Sequence, residues 1–349
     1  MNYKLFLILF SLICSATFAQ PNPDRAIVEK YLQSATKSAI DTEMVQAALF
    51  FLETPYVAGT LDRGDSADVE KLVVNLRELD CLTLVENCLA LSRTMQLSLP
   101  DYESFEQGLR HIRYRNGVIN GYVSRLHYTT DWIFDNAGKG VIEDVTYALG
   151  GRKFKANVNF MSGNYQKYPH LAADSDAVQQ IALVEQAINA RNTYYYIPKK
   201  EIAQRQSQIK NGDIICFTTA VPGLDISHLA VAYWYKNQLT FIHASSTAKK
   251  VIINPESLID YCNAIRTCTG IMVLRPVNYS FSDLIPCSLS LPNSSFIVLT
   301  SSGACPCQTV TSPITLKGCC ERYDFVGLPE IFLSVKSGSS SICPVASTR

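Results

Sequence analysis

The stretch HLAVAYWYKNQLTFIHA, His228–Ala244, reads as a β-hairpin. His228–Tyr235 and Leu239–Ala244 are rich in β-branched and aromatic residues, and Lys236-Asn237 between them is a turn signal. The alternation in LAVAYWY leads one to expect one buried face and one open face. Working outward, Asp213–Thr219 (DIICFTT), Lys250–Asn254 (KVIIN) and Ile271–Arg275 (IMVLR) read as further strands. Asn211-Gly212 is another turn, and a short helix is expected near 256–266.

Upstream the texture is helical. Residues 24–53 carry apolar residues at helical spacing, until Thr54-Pro55 breaks the pattern. Residues 81–97 read as a helix whose N-cap is Asp80, since Leu82, Val85 and Leu89 follow its turns. Helices are also expected over 101–115 and near 175–191, within a Gly-, Asn- and Tyr-rich stretch from 116 to 200. Helices first and an antiparallel sheet second make an α+β layout.

The chain has 349 residues, 47% of them hydrophobic and 18% charged, enough for a packed core. Lys plus Arg number 31 and Asp plus Glu 31. That balance gives no long-range attraction to nucleic acid, and no nucleic-acid partner is expected. Coiled-coil and collagen architectures are excluded by the pattern. MNYKLFLILFSLICSATFAQ, with Lys4 as its only charge and small residues at Thr17 and Ala19, reads as a signal peptide over 1–19. Its apolar run is too short for a membrane anchor, and Ile13 before Cys14 is too bulky for a lipidation site. No integral membrane span is expected, and the mature chain is expected to be exported to the periplasm. A globular domain is assigned to 20–276. The tail, 277–349, is Ser- and Cys-rich: six of the twelve cysteines lie there, Cys287, Cys305, Cys307, Cys319, Cys320 and Cys343. Export permits them to pair, but spacing does not fix a connectivity.

Three residues carry candidate chemistry: Cys81 at the head of a helix, His228 at the start of one β-run and His243 at the end of the next. A helix N-terminus and a nearby imidazolium both favour thiolate, which leads one to expect a depressed Cys81 pKa. A base on a neighbouring strand can take the thiol proton and return it to a leaving amine, while a third polar group fixes the tautomer of the base. The same residue types also occur as buried core cysteines and satisfied histidines. A zinc site is disfavoured because no closely spaced ligand pair is present, and no metal or cofactor is expected.

The flanks add to this. TPYVAGTLD (Thr54–Asp62), LRELDCLTLVEN (Leu76–Asn87), DISHLAVAYW (Asp225–Trp234) and FIHASS (Phe241–Ser246) resemble the NlpC-type, papain-like cell-wall cysteine hydrolases. SRLHYTTDWIFDN (Ser124–Asn136), the later NFMS, YIPK (Tyr196–Lys199), GDIICFTT and HASSTAKKV resemble their N-acetylmuramoyl-L-alanine amidase-like branch, over about residues 40–276. The resemblance implies a papain-like fold with the nucleophile helix on an antiparallel sheet or half-barrel. It implies Cys81 as nucleophile, His228 as base, His243 as orienting residue and Tyr56 beside the nucleophile. The implied substrates are muropeptides, soluble peptidoglycan fragments, cut between N-acetylmuramic acid and L-alanine. A D-glutamyl endopeptidase and a non-catalytic wall-fragment binder are the alternatives. Leu82 stands where the wider superfamily commonly has Ser, which weakens any transfer of the endopeptidase pocket.

Arg125, Tyr128 and Trp132, with His127, form an aromatic and basic cluster. It is read as a substrate wall, with aromatics on sugar faces and Arg on a carboxylate, or else as packing on the sheet. Phe160–Ser162 is read as a possible subsite lining, Arg63-Gly64-Asp65 as a polar loop, and the Arg152, Lys153 and Lys155 group as a solvated turn.

Overall fold

Residue placement follows from a computed structural model, which describes residues 22–63 and 69–278 and, separately, the strands Ile297–Thr300 and Phe332–Val335. The expectations for residues 1–19, for Arg63-Gly64-Asp65 beyond Arg63 and for the tail cysteines lie outside the described residues. The chain divides into two compact units, Met1–Asn278 and Tyr279–Arg349.

In the first unit the helices are α1 (Pro23–Ser34), α2 (Ile40–Phe50), α3 (Cys81–Met95), α4 (Tyr102–Arg113), α5 (Thr129–Gly138), α6 (Phe160–Gly163), α7 (Pro169–Ala173), α8 (Ser175–Ala190), α9 (Ile202–Arg205) and α10 (Leu258–Ala264). The strands are β1 (Ile142–Asp144), β2 (Arg152–Lys153), β3 (Tyr195–Pro198), β4 (Ile214–Thr219), β5 (Ile226–Tyr235), β6 (Gln238–Ser245), β7 (Lys250–Ile253) and β8 (Cys268–Pro276). They form one sheet in the order β2-β3-β8-β4-β5-β6-β7, with β1 also on β8, and every pairing is antiparallel. In the second unit, β9 (Ile297–Thr300) pairs antiparallel with β10 (Phe332–Val335).

The α+β layout is therefore observed, with two departures from the expected pattern. The helical stretch 24–53 is two helices, broken at Ala35–Ala39. The backbone is extended at Ala35 and Ala39, and the Glu43 side chain reaches back to accept from Ser38 N at 2.7 Å and Ser38 Oγ at 3.0 Å. Alternation in β5 does not leave one face open: Leu229, Ala230, Val231 and Ala232 are all buried. Leu229 and Val231 pack in the layer with α2 and α3, while Ala230 and Ala232 pack in a second layer with Phe217, Phe241, Leu258 and Cys262. Cover on both sides converts an expected two-faced strand into a central one.

The hairpin turns as its sequence suggests. Lys236 and Asn237 both have positive φ, 48° and 63°, the pairing that suits two-residue hairpins. Gly212, at φ +79°, sits where a Cβ would lie 2.2 Å from the Asp41 carbonyl oxygen, so only glycine lets the start of β4 close on α2.

Helix α3 is central. Every residue from Thr83 to Met95 is buried, so its polar groups need partners within the protein. Asn87 Nδ2 donates to Thr83 O at 2.7 Å, and Ser92 and Thr94 donate to the carbonyls one turn back at 2.6 and 2.8 Å. Glu86 pairs with Arg113 of α4 at 2.7 Å, with both side chains no more than 3% exposed. Breaking such a pair from one side leaves a charge stranded in the core.

Candidate active site

Asp80 caps α3. Its carboxylate accepts from Thr83 N at 2.8 Å, and Thr83 Oγ1 accepts from Asp80 N at 2.8 Å. This reciprocal box fixes the first turn and sets Cys81, half-buried, as its first residue. Backbone hydrogen bonding from Leu229, Leu82 and Cys81 favours the sulfur's anion. Burial outweighs them, with the Asp80 carboxylate adding to it, and the thiol is pushed up to about 12. The expected depressed pKa is thus corrected: the resting group is a neutral thiol.

Tyr56 reaches the same place by backbone pairing. Glu53 N donates to Val251 O and Val251 N to Thr54 O, at 3.0 and 2.8 Å, while Tyr56 N donates to Lys249 O at 2.9 Å. On its other edge Leu79 N donates to Pro55 O at 3.0 Å and Val57 N to Leu79 O at 3.1 Å. Pro55 falls where no N–H is required. The short span 53–57 therefore splices β7 to the residues just before Cys81. Tyr56 is half-buried, and its pKa is raised by burial and then by Cys81 and Asp80.

The two histidines come from β5 and β6. The paired stretch of that hairpin runs from Tyr235–Gln238 to Val231–Ile242, and both imidazoles lie past its open end. A bulge at Ser227 places His228 opposite Phe217. His228 Nε2 lies 2.7 Å from His243 Nδ1. Burial, then the neighbouring His243, lowers His228 to about 3, and burial lowers His243 to about 4, so both are neutral at pH 7. With one proton between those two nitrogens, the tautomers are linked. If His228 Nε2 carries it, His228 Nδ1 is free to accept a proton, and His243 holds its own on Nε2. The aromatic surround is Phe217, Phe241 and Tyr261, with the Tyr261 ring 6.3 Å from His228 and 6.0 Å from His243. Tyr261 also feels Cys81, which raises its pKa, after burial and Cys262. The sequence held no signal for Tyr261, since LIDYCNA is a short helix with an unremarkable pattern.

The substrate-wall expectation for Arg125, Tyr128 and Trp132 is corrected by their surroundings. Arg125 is 6% exposed and committed to Asp62 at 2.9 Å and Glu70 at 3.0 Å. Tyr128 is buried, donates to Glu185 at 2.7 Å and accepts from Met161 N at 2.9 Å. Trp132 is fully buried in α5. His127 packs at a tilt against Tyr122, 4.4 Å between centroids, and bonds to its carbonyl. These side chains build the wall's interior and present no face to solute. Ser162 hydrogen-bonds to Glu185, which holds the Phe160–Ser162 turn in place. Buried Asp225, three residues before His228, accepts from Thr130 N and Oγ1 at 2.6 and 2.8 Å and so docks α5 on the head of β5. Among the described residues no group of three His, Cys, Asp or Glu could hold a metal ion, and no helix is long and apolar enough to cross a membrane.

The α+β architecture, helices on an antiparallel sheet, is shared with solved amidase structures. The chain belongs to the AmiA-like, N-acetylmuramoyl-L-alanine amidase-like family, whose pattern matches residues 46–271. A Bacteroides uniformis N-acetylmuramoyl-L-alanine amidase is 37% identical and superposes with a TM-score of 0.65, over 69% of this chain and 100% of that one. A Bacteroides fragilis protein, provisionally described as a xylanase, is 39% identical, with a TM-score of 0.62 over 66% and 99%. A Legionella pneumophila protein is 25% identical, with a TM-score of 0.57 over 72% and 94%. No curated protein matches the sequence.

Proposed function

We propose that the protein is a papain-like cysteine amidase that cuts the bond between N-acetylmuramic acid and L-alanine in muropeptides. The observation that carries this is the Leu229 amide on the Cys81 sulfur, one residue from His228, whose ring is 2.7 Å from His243. Family membership and the Bacteroides uniformis amidase support the substrate class. In this reading His228 Nε2 donates to His243 Nδ1, which leaves Nδ1 to take the Cys81 proton as the sulfur attacks the lactyl carbonyl. Because thiol and imidazole both rest neutral, charge separates only as the bond forms, and the amides of Cys81 and Leu82 are there to meet it. The Tyr56 hydroxyl supplies a further donor to the oxyanion. The imidazolium then protonates the departing alanine amine. Water activated by the same imidazole hydrolyses the thioester to a free carboxylate and restores the thiol.

Glycoside cleavage uses two carboxylates astride the bond, whereas the groups gathered here are a thiol and imidazoles. The reading includes export by the 1–19 leader, to where soluble wall fragments occur. Incubation with a defined disaccharide–peptide, with the products weighed by mass spectrometry, tests it. Free disaccharide plus intact peptide is expected, and Cys81→Ala removes that turnover while the fold persists. A shortened stem peptide would point instead to the endopeptidase, and unchanged fragment with retained binding to a binder.

A further inference from the structure

Helix α10 and the first residue of β8 carry two cysteines that the proposed chemistry leaves unused. Cys262 and Cys268 are 0% and 2% exposed. The chain between them is folded back tightly: Ile265 N donates to Tyr261 O at 3.3 Å, and Cys268 N to Ile265 O at 3.1 Å. Both side chains pack in the same layer beside Phe217, Phe241 and Leu258. There the two thiols hydrogen-bond to each other, and Cys268 Sγ also lies 3.6 Å from Gly270 O. The two cysteines are thus neighbours in one buried layer on a short closed turn, which is what an intramolecular bond between them requires.

The two thiols differ in acidity. The hydrogen bond from Cys262 lowers the Cys268 thiol to about 7, and the same bond with burial raises Cys262. This asymmetry belongs to the docked fold, where both sulfurs are enclosed.

We propose that Cys262 and Cys268 are a dithiol/disulfide site, oxidised to an intramolecular bond by a small disulfide of the glutathione class. One of the two cysteine thiolates attacks one sulfur of the donor, forming a mixed disulfide and releasing one thiolate. The other cysteine sulfur then attacks the first and expels the second thiolate. One donor disulfide is reduced to two thiols, two protein thiols become one S–S bond, and their protons leave on the two released thiols. As both sulfurs are out of solvent, exchange takes place before α10 has docked. Once formed, the bond pins α10 to β8. It thereby holds Tyr261, the residue before Cys262, against the His228 and His243 rings. The site needs only a disulfide donor and stands apart from the amidase reading.

The full chain, unfolded in denaturant and refolded with oxidised and reduced glutathione, is blocked with iodoacetamide and cut with trypsin and chymotrypsin together. Cleavage after Arg266 severs the two cysteines from each other, and cleavage after Tyr279 separates them from the tail cysteines. The expected result is one peptide pair joined through Cys262 and Cys268 and parted by dithiothreitol. Recovery of both as carbamidomethyl cysteine, or of either bonded to another cysteine, overturns the proposal. A second readout tests the hold on α10. Dithiothreitol is expected to lower the wild-type thermal midpoint by about 5 °C beyond any shift in C262A/C268A, and equal shifts in the two proteins overturn it.

Discussion

Truncating His243 to alanine tests the paired-imidazole arrangement. The ring is 3% exposed, gives His228 its 2.7 Å partner and packs 4.9 Å from Phe241. Without it, His228 Nε2 has a buried hydrogen and no acceptor, roughly 1–3 kcal/mol. The vacated ring volume adds a cavity cost, for a total of about 2–5 kcal/mol of stability. The kinetic cost comes from the tautomer. With nothing to hold the proton on Nε2, Nδ1 is available as an acceptor only part of the time, and the ring is free to turn. A positioned base is worth about 10²- to 10⁴-fold, which corresponds to about 3–5 kcal/mol of barrier. The expected outcome is thus a kcat on a defined muropeptide lower by about 10²- to 10⁴-fold with KM little changed. H243N, whose carbonyl oxygen can accept the same proton, should recover at least about tenfold of the loss. Product release followed by chromatography with mass detection gives kcat and KM, and circular dichroism shows whether each variant is folded. A folded H243A protein turning over within about threefold of wild type, well inside the range expected for a positioned base, would mean that His243 does not orient the base.

Other predictions follow from the same contacts. Burial lowers His228, His243 and His127 to about 3, 4 and 3, below the unfolded value of 6.5. The unfolded chain therefore binds protons first, and the stability they contribute is complete above about pH 6.5 and lost as pH falls toward 4 and below, by up to about 1.4 kcal/mol per unit for each. H127Q, which can still donate to the Tyr122 carbonyl, should show a shallower fall in thermal midpoint between pH 6.5 and 4 than wild type, and an identical slope would count against the buried neutral imidazole. Glu86→Gln strands the Arg113 guanidinium in the core, so urea denaturation should register a loss of about 3–5 kcal/mol, whereas the double change E86L/R113M should cost far less. Tyr56→Phe removes a hydroxyl beside Cys81 without disturbing the backbone splice. If that hydroxyl meets the oxyanion, kcat should fall about 10- to 100-fold with the thermal midpoint unchanged, and an unaltered kcat would confine Tyr56 to a packing role.

The hairpin was legible because two local signals agree: β-branched and aromatic runs, and a turn pair whose residues accept positive φ. The head of α3 was legible because Asp80 and Thr83 sit at capping spacing in the chain itself. What escaped depended on partners far away in sequence. The break after Ser34 rests on Glu43 folding back on Ser38, and the alanines flanking it give no warning. The elements within 116–200 are mostly two to five residues long and are held by docking onto β8 and α8, so no period could announce them. Arg125, Tyr128 and Trp132 have side chains as suited to a wall facing sugar as to an interior. What decides between the two is Asp62, Glu70 and Glu185, whose proximity only the fold reveals. The pKa of Cys81 was misjudged for a related reason: the helix head and its amides are local, while the enclosure that outweighs them is tertiary.

The splice at residues 53–57 has a mechanical corollary. From β6 through β7, across Glu53–Val57 and on to Leu79, the main chain is stitched by successive peptide hydrogen bonds that end two residues short of the nucleophile. Sulfur and imidazoles therefore share a common frame whose dimensions are set by amide spacing, and side chains in the interior merely keep that frame from coming apart. Trimming a methylene from the hydrophobic layer beneath α3 should make the molecule melt sooner yet leave each surviving copy working at full speed.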